Sequence, residues 1–288
     1  MDVARLLLAA AGQVRLLGSV VPVGAFAERA RLVAEAEAGR DPVPRWSYEK
    51  TDLLPLAAEL DDLAELLAVR MQEQGDELAH LYAGRARELA LEARLASSAG
   101  SRGFGARALR RFQIAPADAK RAEALARAWS LLPARGLAAV DDPGPMRTSA
   151  GPEPESLLSQ MRRAVGEARV PFVVTAREDL LALAATGDRT IFVAAGRTLT
   201  EEDVRRTVVH EMHAHVMPRV RAATLEPKIF QLGTARGADD QEGYAILIEE
   251  RRALLTPRRR RSLALRHLAT TRMDAGASFV EGVRALVS

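Results

Sequence analysis

The chain contains no cysteine and few aromatic residues, and both absences restrict what it can be. Without cysteine, the 288 residues can form no disulfide, no thiolate metal site and no cysteine nucleophile. Any bound metal ion must therefore be held by imidazole and carboxylate groups. Aromatic residues make up only 4% of the chain, so leucine, alanine and valine must build most of the core. Because alanine, leucine, arginine and glutamate favour helices, we predict a mainly helical fold.

The sequence also lacks a long apolar run. No segment approaches the roughly 20 apolar residues that are needed to span a bilayer. The first residues are the only stretch similar to a targeting signal, but Gln13 and Arg15 interrupt their apolar pattern, and Asp2 lies where an export signal needs positive charge. We interpret this stretch as an amphipathic first helix and expect a cytoplasmic protein with no membrane partner.

Charge is nearly balanced, with a formal net charge of +3. This small basic surplus is compatible with an acidic partner but does not require one. The one dense basic cluster, Arg258 to Arg261, has no aromatic residues between its arginines, so we interpret it as a solvated turn between two helices and expect no nucleic-acid partner.

Hydrophobic periodicity predicts helices through most of the first half of the chain. Leucine and alanine recur every three or four positions through residues 52 to 98, and a further helix is predicted within residues 115 to 132. The stretch 141–156 is rich in proline, glycine, serine and aspartate. We therefore predict an N-terminal helical portion (1–140), a linker (141–156) and a second portion (157–288), which could also form one integrated domain.

The second portion contains the only segments with strand character. Residues 170–176 and 189–196 are short, rich in β-branched residues and bounded by turn residues. They predict a small sheet. The fold class that we predict is therefore α+β and mainly α, with a small β-sheet beside the N-terminal helical portion.

Three of the five histidines lie within "VVHEMHAHVM", residues 208 to 217. Thr200, followed three residues later by Asp203, predicts a capping-box start for a helix that directly follows the second strand. The histidines then lie at the C-terminal end of this helix, and we expect Pro218 to prevent the helix from running much further. This placement is typical of the active-site helix of a metallopeptidase.

The spacing of the histidines decides how they could bind a metal ion. Hydrolysis at zinc needs imidazole ligands, an adjacent carboxylate that takes a proton from water, and an open coordination position. The common H-E-x-x-H pattern fails because Ala214 occupies its second histidine position. On a regular helix His210 and His213 lie about 60° apart and could chelate, whereas His210 and His215 lie about 140° apart and could not. Chelation by His210 and His215 therefore requires a bulge or an unwound turn, which π-bulges provide.

Three segments together resemble a known family. They are "HEMHAH" (210–215), "EPKIFQLG" (226–233) and "DQEGYAILIEE" (240–250). In this order they are similar to the metallopeptidase-like family of the microtubule-associated tyrosine carboxypeptidases and their bacterial relatives. That family is marked by H-E-x-x-x-H, a proline-containing stretch and a Q-E-G element. The similarity extends to "VPRWSYEK" and "RHLATTRMDAGASFVEGVRAL", and it is specific only between residues 208 and 245.

The resemblance implies a zincin-like metallopeptidase with zinc, Zn²⁺, as its cofactor. It implies that His210, His215 and Glu242 are the metal ligands and that Glu211 is the general base. It further implies a carboxypeptidase that removes a C-terminal, aromatic residue from a peptide or protein, and the basic surplus would suit an acidic C-terminus. The same ligands also accept manganese, iron or cobalt, so zinc is a default assignment of the metal.

Several further residues are candidates for the site. Tyr244 and His267 could donate to the oxyanion of the tetrahedral intermediate. His213 stands where the family has a small residue, so it could be an extra ligand, support the ligands or donate a hydrogen bond to the transition state. Arginine and lysine bind a terminal carboxylate best, and the candidates are Lys228, Arg266 and Arg272. For each of these cations a surface position without a ligand is the alternative, and for Tyr244 it is simple packing.

Two other functions remain open from the sequence. The Asn-Gly pair expected shortly after the histidine cluster is missing, so a regulatory or scaffold protein that binds metal without turnover would fit the same ligands. A helical interaction module that binds no metal would carry the histidines as a polar helix end.

Overall fold

The structure is a computed structural model, and it describes residues 2–132 and 146–287. These residues are mainly helical with two small sheets, which confirms the predicted α+β, mainly α class. They form two compact units. The first unit comprises Met1–Ala128, Pro227–Arg236 and Ser262–Ser288, and the second comprises Trp129–Glu226 and Gly237–Arg261. The division expected at 141–156 stays a prediction, and residues 141–145 lie outside the described part of the chain.

The elements follow one another in this order. The α-helices of the described residues are α1 (Val3–Gln13), α2 (Leu16–Ser19), α3 (Ala25–Glu37), α4 (Leu54–Gln74), α5 (Glu77–Ser97), α6 (Phe104–Arg111), α7 (Pro116–Ser130), α8 (Leu157–Ala168), α9 (Glu201–His210), α10 (Met217–Ala222), α11 (Ile229–Leu232), α12 (Gly237–Arg251), α13 (Pro257–Asp274) and α14 (Phe279–Val287). A π-helix, Glu211–Val216, lies between α9 and α10. The strands are β1 (Arg147–Thr148), β2 (Val173–Arg177), β3 (Ala184–Thr186), β4 (Thr190–Ala194) and β5 (Thr198–Leu199).

The first unit is built around the helix pair α4 and α5. The segment predicted as helical over 52 to 98 is divided at Gly75, which has the left-handed conformation (φ 64°) that ends α4. Asp76 then caps α5 by accepting a hydrogen bond from the backbone of Ala79. Small and aliphatic side chains fill the core of this pair, because they allow the helices to approach closely: Ala57, Leu60, Ala64, Ala86, Leu89, Ala90 and Ala93.

The second unit contains the sheets, and both predicted strand segments are confirmed. Strands β2 and β4 pair in parallel, and β3 pairs antiparallel with β4, so that β3 forms an edge of the three-stranded sheet. Met161 of α8 and Ile191 and Val193 of β4 are fully buried in the core of this unit. The sequence did not predict β3, which consists of two alanines and Thr186.

The helix that carries the histidines begins as predicted. The Thr200 hydroxyl accepts a hydrogen bond from the Asp203 backbone at 3.1 Å, and the Asp203 carboxylate accepts one from the Thr200 backbone, so the capping box is confirmed. The expected stop at Pro218 is wrong, because α10 continues to Ala222. A proline is tolerated in the first turn of a helix, and the π-helix before it gives α10 a new first turn.

The basic run Arg258 to Arg261 is not a solvated turn, in contrast to our prediction. It lies in the first turns of α13. Arg259 and Arg260 pair with Glu249 and Glu250 respectively, and Arg261 donates to the carbonyl oxygen of Ser130. Much of its charge and donor capacity is therefore used in contacts within the second unit.

None of the helices in the described residues is both long enough and apolar enough to cross a membrane.

Candidate metal centre

The π-helix Glu211–Val216 brings His210 and His215 to the same side of the chain. In a π-helix each N–H bonds to the carbonyl five residues earlier, so residues five apart lie one above the other. The two imidazole rings have their centroids 5.2 Å apart, with planes inclined by 48°. The prediction that this spacing requires a departure from the regular α-helix is confirmed.

Packing and a proline explain why the wide turn forms here. Met212 and Val216 are buried in the core of the second unit, while His213 between them is exposed. Pro218 has no N–H, and in a regular helix its ring would clash with the carbonyl of Ala214. A widened turn before the proline relieves this clash and keeps both apolar side chains in the core.

Glu242 of α12 lies beside the two histidines. His210, His215 and Glu242 together form the candidate metal-binding group. Oε2 of Glu242 lies 3.5 Å from Nε2 of His210, and its Oε1 lies 3.3 Å from Nε2 of His215. Helix α12 packs against both α9 and the π-helix, which places this carboxylate opposite the two rings. One ligand atom from each residue lies within 4.8 Å of the other two. The structure thus brings the three predicted ligands together.

The donor set is of a kind that holds a divalent metal ion such as zinc. Two imidazoles and one carboxylate form a ligand set typical of catalytic zinc sites, which keep a further position open. Ligand atoms that bind tetrahedrally at about 2.0–2.2 Å lie about 3.3–3.6 Å from each other. The separations of 3.5 Å and 3.3 Å are of this size, but each joins a different oxygen of Glu242 to one ring nitrogen. For one ligand atom from each of the three residues, the separations are all within 4.8 Å.

The contacts within this group shift the pKa values of His210 and Glu242. Burial alone would lower the pKa of His210, but hydrogen bonds to Glu242 and Glu249 outweigh it and raise the pKa to about 9. Hydrogen bonds from His210 and then His215 hold the pKa of the Glu242 carboxyl well below its ordinary value. The carboxylates therefore favour positive charge at this point, and a proton and a metal ion would compete for Nε2 of His210.

Glu211 lies beside this group as a buried carboxylate. Its side chain is 6% exposed, and its Oε2 accepts a hydrogen bond of 2.7 Å from the hydroxyl of Thr186. Its negative charge is among the causes that raise the pKa of His210. Sequence analysis missed Thr186, because the segment around it, "LLALAATGD", is rich in leucine and alanine and carries no strand signal.

Glu249 is a second residue that sequence analysis missed. Its side chain is fully buried, and its Oε1 lies 3.0 Å from Nδ1 of His210. Burial would raise the pKa of Glu249, but hydrogen bonds from His210 and Arg259 outweigh it and lower the pKa. It lies seven positions after Glu242, which is about two helical turns, so the two glutamates share a face of α12. This spacing is the sequence feature from which Glu249 could have been predicted.

His213 lies outside the group of three ligands. It is exposed on the π-helix. Its pKa is lowered, first by partial loss of solvent and then by the charges of Arg252 and Arg221. These two arginines, rather than carboxylates, are the charges that act on it. Its assignment as an extra or supporting ligand stays a prediction.

The remaining candidates lie in different parts of the fold. Tyr244 is on α12 in the second unit and is 46% exposed. Lys228 directly precedes α11 in the first unit. Arg266, His267 and Arg272 lie on the part of α13 that belongs to the first unit. The metal-binding group belongs to the second unit, and the roles of these five residues stay predictions.

Comparisons with known proteins give one match. A family model described as microtubule-associated tyrosine carboxypeptidase matches residues 36–288. Neither the comparison with curated proteins nor the comparison with solved structures gives a significant match. The matched segment includes His210, His215 and Glu242, the three residues that could hold a metal ion.

His215→Ala and His213→Ala provide a matched test of the ligand assignment. Removing His215 takes one ligand from the group, so we expect zinc binding to weaken by more than the roughly 10–100-fold that loss of a supporting partner causes. His213→Ala should keep one bound zinc ion, because the three ligands remain. An affinity weakened about 10–100-fold would show the supporting role that stays a prediction for His213. Zinc content after gel filtration and zinc affinity in competition with a chelator measure both. Loss of zinc from His213→Ala, or retention by His215→Ala, would contradict the assignment.

Proposed function

Because the chain belongs to the microtubule-associated tyrosine carboxypeptidase family, we propose that it is a zinc-dependent carboxypeptidase with a zincin-like catalytic portion. Its substrate is the C-terminus of a peptide or protein, from which it removes an aromatic residue. The observation that carries the proposal is the convergence of two imidazoles and one carboxylate beside the buried carboxylate of Glu211. Ligands and proton acceptor in one place are what metal-assisted peptide hydrolysis requires.

Three side chains hold the ion in this proposal. His210 and His215 bind through Nε2, which in both rings faces the Glu242 carboxylate, and Glu242 is the third ligand. When bound, such an ion supplies Lewis acidity, which polarises the scissile carbonyl and acidifies a water molecule.

Glu211 moves the proton. As general base its carboxylate accepts a proton from the attacking water while the water oxygen bonds to the peptide carbonyl carbon. When the C–N bond breaks, Glu211 gives the same proton to the leaving amine, so the base is regenerated. The hydroxyl of Thr186 holds Oε2 by a hydrogen bond of 2.7 Å and fixes the direction of the carboxylate. We assign Oε1 as the proton acceptor.

A carboxypeptidase must also recognise the terminal carboxylate and the developing oxyanion. Lys228, Arg266 and Arg272 remain the candidates for the carboxylate, because a cation fixes both its charge and its position. Tyr244 and His267 remain the candidates for the oxyanion. The net charge of +3 supports an acidic substrate tail. The cytoplasmic location that we expected from the sequence stays a prediction.

Glu211→Gln separates catalysis from metal binding. The substitution keeps the size of the side chain but removes the proton acceptor, so we expect hydrolysis to fall by at least about 10²–10⁴-fold, with zinc content unchanged. Glu250→Gln, at an exposed carboxylate of the same unit, is the control and should retain activity. If the original chain binds zinc but hydrolyses no peptide, it is a metal-binding regulatory or scaffold protein. Full activity of Glu211→Gln would exclude its role as base.

Paired peptide substrates test the carboxypeptidase assignment. Peptides of one sequence with a C-terminal tyrosine should be cleaved when their C-terminus is free and resist cleavage when it is amidated, because the amide removes the charge that a cation must bind. Mass spectrometry of the products should show loss of a single residue. Equal cleavage of both forms, or cleavage within the peptide, would rule out a carboxypeptidase.

Thr186→Val tests how Glu211 is held. Valine has a similar shape but no hydroxyl, and a hydrogen bond to a charged group contributes about 1.5–3 kcal/mol. We expect kcat to fall about tenfold or more while KM and zinc affinity stay unchanged, and Thr186→Ser should restore most of the rate. A change in KM alone would place Thr186 in substrate binding instead.

A further inference from the structure

The carboxylate of Glu249 is fully buried, yet each of its oxygens has a partner. Oε1 lies 3.0 Å from Nδ1 of His210 and accepts a hydrogen bond of 3.2 Å from Nη2 of Arg259. Oε2 accepts a hydrogen bond of 3.0 Å from Nε of Arg259. A buried charge is costly unless it is paired and hydrogen-bonded. The pairing here connects a ligand of the metal-binding group to an arginine of another helix.

This arrangement determines which ring nitrogen of His210 faces the other ligands. A carboxylate can only accept hydrogen bonds, so the contact with Oε1 places a proton on Nδ1. Nε2 faces the Glu242 carboxylate at 3.5 Å. With Nδ1 committed to Glu249, Nε2 is the ring nitrogen that would give its lone pair to an ion, which would take the place of the proton that Nε2 shares with Glu242 in the ion-free chain. The ring is also held in its plane, because a hydrogen bond through Nδ1 opposes rotation of the ring.

Arg259 in turn fixes the carboxylate. Its guanidinium binds both oxygens of Glu249 through Nε and Nη2, and such a forked contact sets the plane of the carboxylate as well as its position. Oε1 therefore cannot turn away from His210. A lysine at this position would keep the positive charge but could not hold both oxygens in one fixed geometry.

We propose that Glu249 and Arg259 are positioning residues of the metal centre, which fix His210 with Nε2 directed at the ion. This inference rests on the proposed function for the identity of the centre, but it concerns metal affinity rather than turnover. Neither residue touches the ion or the substrate in the proposal. Both act through His210.

The chain offers a matched control one residue further along each helix. Glu250 and Arg260 also pair at 3.0 Å between α12 and α13, but their side chains are 53% and 33% exposed. An exposed pair contributes little to stability. Substitutions at Glu250 and Arg260 therefore show how zinc affinity responds when a glutamate–arginine pair that does not contact His210 is lost between the same helices.

Zinc affinity, measured by competition with a chelator, tests the proposal. We expect Glu249→Gln and Arg259→Lys to weaken zinc binding about 10–100-fold, and Glu250→Gln and Arg260→Lys to bind zinc like the original chain. Cobalt(II) at saturating concentration should show a changed visible absorption spectrum in the first two variants, which a purely structural role would not cause. The proposal would be overturned if Glu249→Gln and Arg259→Lys kept the zinc affinity and the cobalt spectrum of the original chain. Equal losses of zinc affinity in the two control variants would also overturn it.

Two measurements keep the test decisive if a buried substitution weakens the fold. Thermal unfolding without metal shows which variants are folded at the assay temperature. If Glu249→Gln is not folded, the zinc affinity of Arg259→Lys, which keeps the charge beside Glu249, tests the proposal instead. Nitrogen chemical shifts of the zinc-loaded original chain need no variant. They should show His210 protonated at Nδ1 and bound through Nε2, and binding through Nδ1 would overturn the proposal.

Affinity and activity distinguish this inference from the proposed function. If the Glu249 and Arg259 variants lose zinc affinity but the original chain cleaves no peptide, the positioning role stands and the carboxypeptidase proposal fails. If the original chain is an active peptidase and both variants bind zinc normally, the positioning role fails alone.

Discussion

The π-helical turn between Glu211 and Val216 is the constraint on which the metal-binding group depends. In a regular α-helix two residues five positions apart point about 140° away from each other. The wide turn removes this divergence and sets the rings of His210 and His215 5.2 Å apart. Packing of apolar side chains on one side of the turn and a proline two residues after its end make the unusual geometry the favourable one. Core packing and ligand placement are therefore two results of the same turn.

Three glutamates act on His210, and one of them also faces His215. Their environments give the three carboxylates different properties. Glu242 is 61% exposed at its side chain and faces both rings, as a ligand open to exchange with solvent would. Glu211 is buried and held by one hydroxyl, which leaves it able to accept a proton. Glu249 is buried and held by an arginine, so its charge is committed to orienting His210. In our proposals one residue type thus supplies a ligand, a base and an orienting partner, because burial and hydrogen-bond partners differ.

The sequence was sufficient to predict the parts of the site that follow from local spacing. The cluster at His210 and the need for a non-α turn came from the spacing of a few residues, whereas the pairing with Glu242 came from the resemblance to a known family. Thr186 could not be found in this way, since two alanines beside it favour helix and only pairing with β4 makes the segment a strand.

Arg259 was misread as part of a solvated turn, because which arginine of a basic run faces a buried glutamate depends on how α12 and α13 pack. The fold class was predictable from composition and periodicity, whereas the expected stop at Pro218 failed because the preceding π-helix restarts the helical register.

X-ray absorption at the zinc edge of the zinc-loaded protein tests the central claim most directly, because it reports the atoms that surround the ion. The account predicts two imidazole nitrogens at about 2.0–2.1 Å and carboxylate oxygen at about 2.0–2.2 Å, with one imidazole contribution lost in a variant that lacks His215. A first shell with three imidazoles, or with none, would contradict a centre formed by His210, His215 and Glu242.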